Sequence, residues 1–271
     1  MLVAQTRSPR LALVGAIVLT LCPGTSRADP AFYSLDEWAP VQRWELFAVP
    51  TALAVTLGIN LTGYPPSRWQ GGILFDDWVS NGLTLKSEAA RSHAATASTV
   101  LAVGVGALPF LLDAFLLTGS KHGRTDLAFQ MFMVDAEALT LTGLITEATK
   151  RLSGRERPTG GIETDSFFSG HTSIAASAAT LVCLQHLQLE LLGDRAADAA
   201  VCGAAAAAAL GTGLSRVMSD RHYASDVVVG AAVGVGSALL VYDLRVRETP
   251  ALRINPILRP DSLGLAFAGG F

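Results

Sequence analysis

The stretch that decides the fold runs Lys150-Arg-Leu-Ser-Gly-Arg-Glu-Arg157-Pro158, then Phe168-Ser-Gly-His171-Thr172, then Ser215-Arg216 with His222 and Asp226 behind it. Each polar cluster stands at the edge of an apolar segment. Such segments occur at about 46–62, 94–118, 126–148, 172–192, 197–214 and 227–243 and read as six helices. Consecutive helices joined by short loops run antiparallel. The end of the third, the start of the fourth, the end of the fifth and the start of the sixth therefore share one face, and the three clusters meet there. The loops 119–125 and 193–196 fall on the opposite face. The expected fold class is all-α, a six-helix antiparallel bundle.

The composition agrees with a bundle set in lipid. Half of the 271 residues are hydrophobic and 16% are charged, with a mean hydropathy of +0.40, which excludes a disordered chain. The net charge is −3. With Arg7, Arg10 and Arg27 set aside, 17 of the 20 basic residues remain against 23 acidic, a balance of −6 that disfavours a nucleic-acid partner. Residues 1–28 carry Arg7 and Arg10, the apolar run Leu11 to Leu21 and the small residues Ser26 and Ala28, and read as a signal peptide or an N-terminal anchor. Residues 29–245 form the helical domain and 246–271 a C-terminal tail, read as one strand or a loose peptide. Residues 63–92 are a long loop with one short helix. Cys183 and Cys202 are preferred as buried free thiols, with a disulfide the alternative in an oxidising compartment. Asp135, Glu137 and Glu147 would be costly against lipid, so they face into the bundle, or the bundle is soluble.

The pocket at the shared face has a chemical character. Lys150, Arg157 and Arg216 supply fixed positive charge, and guanidinium forks match phosphate oxygens. Ser169, the backbone of Gly170 and two helix N-termini add neutral donors. The preferred guest is a tetrahedral oxyanion. The two histidines, His171 and His222, between them supply a nucleophile and an acid for phosphoryl transfer, which needs little beyond in-line positioning and charge stabilisation. Asp226 follows His222 by four residues, so on a helix both project from one face and the carboxylate can fix the ring tautomer. At about one in twenty per position, Ser-Arg-x5-His-x3-Asp has a chance on the order of 0.002 of arising somewhere in the chain.

These residues resemble the type 2 phosphatidic acid phosphatase and vanadium haloperoxidase superfamily, whose signature reads Lys-x6-Arg-Pro, Pro-Ser-Gly-His, then Ser-Arg-x5-His-x3-Asp. The resemblance spans Lys150 to Asp226. It implies an acid phosphatase/haloperoxidase type of helical bundle, a metal-independent phosphatase without cofactor, and a phosphohistidine intermediate. By that resemblance His222 is the nucleophile and Asp226 orients it. His171 protonates the leaving oxygen and then activates water, while Lys150, Arg157, Ser169, Gly170 and Arg216 hold the phosphoryl oxygens. Phe168 departs from the family proline before Ser-Gly-His, which bears on the local turn only.

Other polar residues receive plainer readings. Arg151, Arg155 and Arg221 extend the anion pocket or contact solvent and lipid headgroups. His93, His122 and His186 read as satisfied or exposed histidines. Trp69, Trp78 and the Asp76-Asp77 pair line a substrate entrance, pack a loop or form an interfacial belt. Lys121, His122 and Arg124, with Arg245 and Arg247, make the face opposite the site cytoplasmic by the positive-inside rule. The site then faces the periplasm or cell exterior from the inner membrane, on the condition that 46–62 stops short of a full crossing.

The expected activity is hydrolysis of a phosphorylated lipid, a phosphate monoester or diphosphate. The alternatives are a soluble exported acid phosphatase acting on small phosphoesters, a vanadate-dependent haloperoxidase, and a non-enzymatic membrane protein with a vestigial anion site. The sequence does not fix the headgroup or the oligomeric state.

Overall fold

The computed structural model describes residues 38–160, 163–246, 253–259 and 262–268; the leader at 1–28, with Cys22, lies outside them. Among the described residues the chain forms α1 (Glu45–Asn60), α2 (Asp76–Leu83), α3 (Glu88–Leu108), α4 (Thr125–Ser153), α5 (Gly170–Leu189), α6 (Arg195–Met218) and α7 (Ala224–Arg245). Six of these are the six apolar segments, and α2 is the short helix within 63–92. At Pro109, which lacks an N–H donor, α3 gives way to a π-helical segment over Pro109–Lys121.

Side chains placed by the sequence start the helices. The side chains of Ser87, Ser169 and Asp194 accept from the backbone N–H of Ala90, Thr172 and Ala197 at 3.2, 3.4 and 2.8 Å, satisfying first-turn donors of α3, α5 and α6. Helix α4 stops at Gly154, whose φ of +54° suits glycine. The peptide joining Phe167 and Phe168 is cis.

Helix α5 is the axis of the bundle and touches α3, α4, α6 and α7. Thirteen of its 20 residues are buried, most of them Ala, Ser or Leu. Small residues let neighbouring backbones approach: a Cβ at Gly234 of α7 would lie 2.1 Å from the Ser173 carbonyl oxygen, and one at Gly230 would lie 2.8 Å from that of Ser169. Between α3, α5 and α6 the core is built from Ala102, Val105, Ala175, Ala179, Val182 and Ala205. A larger cluster around Leu127, Met131, Leu181 and Tyr242 fills the end away from the three polar motifs.

Among the described residues, four stretches are long and apolar enough to cross a membrane: Glu88–Lys121, Thr125–Ser153, Arg195–Met218 and Ala224–Arg245. Their outer surfaces stay apolar, with Val100, Val103, Leu111, Phe115, Phe129, Phe132, Leu214 and Val228 exposed. The three acids expected to be costly against lipid face inward. Asp135 accepts from Gln185 Nε2 at 2.7 Å, Glu137 lies 3.7 Å from Arg245 Nε and Glu147 accepts from the Tyr64 hydroxyl at 2.8 Å.

Three expectations are corrected here. Cys183 and Cys202 form a disulfide between α5 and α6 rather than two free thiols; the antiparallel helices bring their Cα atoms to 4.5 Å. The tail contains two strands rather than one, β1 (Arg253–Arg259) and β2 (Ser262–Ala268), paired antiparallel with Arg253 opposite Ala268; the alternation after Leu263 is only the second half of a hairpin. Arg245, expected as a charge of the tail, is the last residue of α7 and packs against α1. Glu45 at the start of α1 takes two 2.9 Å hydrogen bonds from Arg245 at the far end of α7, and Ile59 near the end of α1 accepts from Arg151 beside the motifs. The 16 residues of α1, about 24 Å long, pack along α4. Arg245 is buried in its pair with Glu45 rather than standing in a loop.

Candidate active site

The end of α4, the start of α5, the end of α6 and the turn before α7 come together at one end of the bundle, as antiparallel order requires. Lys150, in the last turn of α4, is buried with its Nζ 3.7 Å from both Glu147 and Asp165. Gly170 opens α5 beside it, and a Cβ there would lie 3.6 Å from Lys150 Nζ. Arg157 donates from Nε and one terminal nitrogen to the two oxygens of Asp165, each at 2.7 Å, and lies 3.1 Å from Glu163. Arg216 is buried at 5% exposure, and its one hydrogen bond among the described residues reaches Ser98 Oγ at 3.4 Å. Its Nε has no hydrogen-bond partner among them. A buried guanidinium with no carboxylate bonded to it is costly and fits an anionic guest.

His171 faces Arg216, Lys150 and Arg157, and its Nε2 lies 3.1 Å from Thr99 Oγ1 of α3. His222 is buried among the same three cations. Burial and the charges of Arg216, Arg157 and Lys150 hold its pKa well below the usual histidine range, against a smaller opposing pull from Asp165. The ring is therefore neutral near pH 7. Its Nδ1 lies 2.8 Å from the Ser166 carbonyl oxygen; a carbonyl only accepts, so Nδ1 carries the hydrogen and Nε2 keeps its lone pair. That is the form a nucleophilic imidazole requires.

The carboxylate of Asp226 does not bond to this ring; its Oδ2 lies 3.7 Å from Nδ1. The expected geometry supposed both residues on one helix, but α7 begins only at Ala224. Asp226 folds back instead, accepting from the Tyr223 N–H at 2.9 Å and from Ser166 Oγ at 2.6 Å. Its influence on His222 passes through Ser166, which offers its hydroxyl to Asp226 and its carbonyl to the ring. Ser169 caps α5, and its N–H donates to the Asp226 carbonyl at 3.1 Å.

All eight residues singled out in the motifs thus lie at this end, in or beside one pocket. Residues 133–250 match the family model of the PAP2 superfamily. The chain is similar to the lipid A 1-phosphatase of Porphyromonas gingivalis, 39% identical over 128 residues, which are 47% of this chain and 27% of that protein. The chain thus matches about a quarter of that relative's length. Two solved structures are similar more loosely. LpxE of Aquifex aeolicus is 22% identical, covers 70% of this chain and 93% of its own, and superposes with a TM-score of 0.38. The transmembrane PAP2 type phosphatidylglycerolphosphate phosphatase of Bacillus subtilis is 18% identical, with coverages of 70% and 94% and a TM-score of 0.41.

Several residues at this site escaped the motif reading. Arg155 neither extends the anion pocket nor meets solvent or lipid; it is fully buried, with Asp226 at 2.6 Å and Asp76 at 2.8 Å. Asp165 and Ser166 precede the Ser-Gly-His motif in a stretch without a spacing signal. Ser98 and Thr99 are hydroxyls in an apolar helix, a pattern that carries no information in sequence. Trp69 packs against Arg155 and Phe167, whereas Trp78 is exposed. Arg151 donates to Ile59 and Thr62, and Arg221 stays half-exposed near Glu163.

Proposed function

We propose that this chain is a phosphoric ester hydrolase that removes phosphate from a membrane lipid, a monoester or a diphosphate, through a phosphohistidine on His222. The observation that carries the reading is the buried, carboxylate-free Arg216 beside a neutral His222 whose Nε2 is unprotonated. The phosphoryl oxygens would bind Arg216, Lys150, Arg157 and the donors of Ser169 and Gly170. Nε2 of His222 attacks phosphorus, the bond to the leaving oxygen breaks, and that oxygen takes a proton from His171. His171 then accepts a proton from water, the hydroxyl oxygen attacks phosphorus, and the P–N bond breaks to restore His222 and release phosphate. A bound phosphate dianion offsets the cations around His171 and so favours its acid form for the first step.

The membrane setting is supported by the four long apolar stretches and their exposed apolar flanks, and the lipid class by the likeness to a lipid A 1-phosphatase. We place the site on the periplasmic or outer side, with Lys121 and Arg124 at the cytoplasmic end. At 16 residues α1 falls below the length that crosses a membrane, which supports the condition this orientation sets on 46–62. Phosphate release by detergent-purified protein, with chelator present, from panels of lipid phosphates, isoprenoid diphosphates and soluble monoesters tests the activity. Lipid-selective release is expected; release from soluble esters alone would move the assignment to a soluble-substrate phosphatase. Labelling of single cysteines by an impermeant maleimide in intact cells tests the orientation, with Ser87→Cys expected to react and Asp194→Cys expected to stay protected.

A further inference from the structure

Behind the site lies a buried clasp that joins the loop after α1 to the start of α7. Arg155 lies between the rings of Trp69 and Tyr223, each centred 4.1 Å from its Cζ. One terminal nitrogen donates to Asp226 Oδ1 at 2.6 Å and to Ser225 Oγ at 2.9 Å; the other donates to Asp76 Oδ2 at 2.8 Å and to the Gly71 carbonyl at 3.0 Å. Asp76 is equally buried. Its Oδ1 accepts from the Ser225 N–H at 2.7 Å, and its Oδ2 accepts from Ser225 Oγ at 2.7 Å and the Ile73 N–H at 2.8 Å. Burial pushes the Asp76 carboxyl up, but the bonds from Ile73, Ser225 and Arg155 outweigh it and hold the group below the usual carboxylate range.

We propose that Asp76 and Arg155 are positioning residues for His222. Asp76 satisfies a first-turn N–H of α7 and anchors Arg155; Arg155 holds Asp226; Asp226 holds Ser166; and the Ser166 carbonyl fixes the proton on His222 Nδ1. Neither residue donates to the anion pocket, since every nitrogen of Arg155 is engaged within the clasp. Asp76 also lies outside the segment that matches the family, so the loop after α1 becomes part of the catalytic apparatus. The inference rests on the phosphatase reading above.

The test compares wild type with Asp76→Asn and Arg155→Lys, which keep size and, for the latter, charge. Full-length protein in detergent is measured for thermal unfolding, kcat, KM on a lipid phosphate, and competitive inhibition by inorganic phosphate. The expected result is a fall in kcat on the order of 100-fold, the scale of a misplaced reacting group, with KM and phosphate inhibition unchanged. An unchanged kcat in folded variants would overturn the proposal. So would weaker phosphate inhibition at unchanged kcat, which would make Arg155 an anion ligand, or failure of both variants to fold while His222→Ala folds, which would leave the clasp a purely structural role. A wild type inactive on every phosphate would instead overturn the parent reading.

Discussion

The bundle holds a buried histidine cluster at each end, and the two are electrostatic opposites. At the motif end, His222 is surrounded by Lys150, Arg157 and Arg216 and donates one proton to a carbonyl. At the other end, His186 lies 2.5 Å from Asp198 and 3.1 Å from Asp113, one carboxylate at each ring nitrogen. Both ring nitrogens of His186 are thus engaged by acids, and the ring is closed within its own polar cluster. Surplus cations leave a ring nucleophilic and invite an anion; paired acids tie a ring down. On the proposed reading, the same residue type serves chemistry at one end and cohesion of α5, α6 and the π-helical segment at the other.

The largest expected effect separates the two histidines. His222→Ala should lower phosphate release on the order of 10⁴-fold or more, with little change in thermal unfolding. His186→Asn should do the reverse, leaving kcat per folded molecule intact while costing about 3–5 kcal/mol of stability, the scale of breaking a buried ion cluster. Denaturation in detergent alongside initial-rate kinetics reads both. Equal loss of activity in the two variants would erase the contrast.

A pH profile sharpens it. The nucleophile must be neutral, so kcat/KM falls as pH drops through the His222 pKa. Burial and the cations keep that pKa well below 6.5 in the wild type, which places the acid limb in the acidic range. Arg216→Gln removes the largest of the cationic contributions, so the limb should move to higher pH and the ratio of rates at pH 5 and pH 7 should fall. A limb that stays in place would show that Arg216 does not govern the ring.

The smallest effect concerns Asp165. Burial pushes its carboxyl up, but Arg157 and Lys150 pull it down to about 2, so it is an anion across the working range and engages the Arg157 fork. Asp165→Asn should tighten inhibition by inorganic phosphate several-fold, about what one screened charge at close range supplies. Weaker inhibition in Asp165→Asn would instead make this carboxylate a support that aims Arg157 at the substrate.

What was legible in the sequence follows from how local each signal is. The helices, their antiparallel order and the eight motif residues could be read because apolar periodicity and fixed spacings lie within single segments. The partners of His186 could not, since Asp113 and Asp198 come from other helices and have no spacing to betray them. Arg155 looked like one more surface cation; only the arrival of Asp76, 79 residues earlier, makes it a buried clasp. The link from Asp226 to His222 was read one atom too directly, because the helix starts after His222 rather than before it. The disulfide depended on a Cα separation that only the packed pair of α5 and α6 supplies.

The central claim is a phosphoryl group carried on His222. It is tested most directly by incubating detergent-purified His171→Ala, in which hydrolysis of the intermediate is slowed, with a lipid phosphate labelled on phosphorus, quenching in alkali and mapping the label by mass spectrometry. The account predicts label on the peptide containing His222 and none in His222→Ala. Label elsewhere, or phosphate release by the wild type with no labelled protein in any variant, would contradict it.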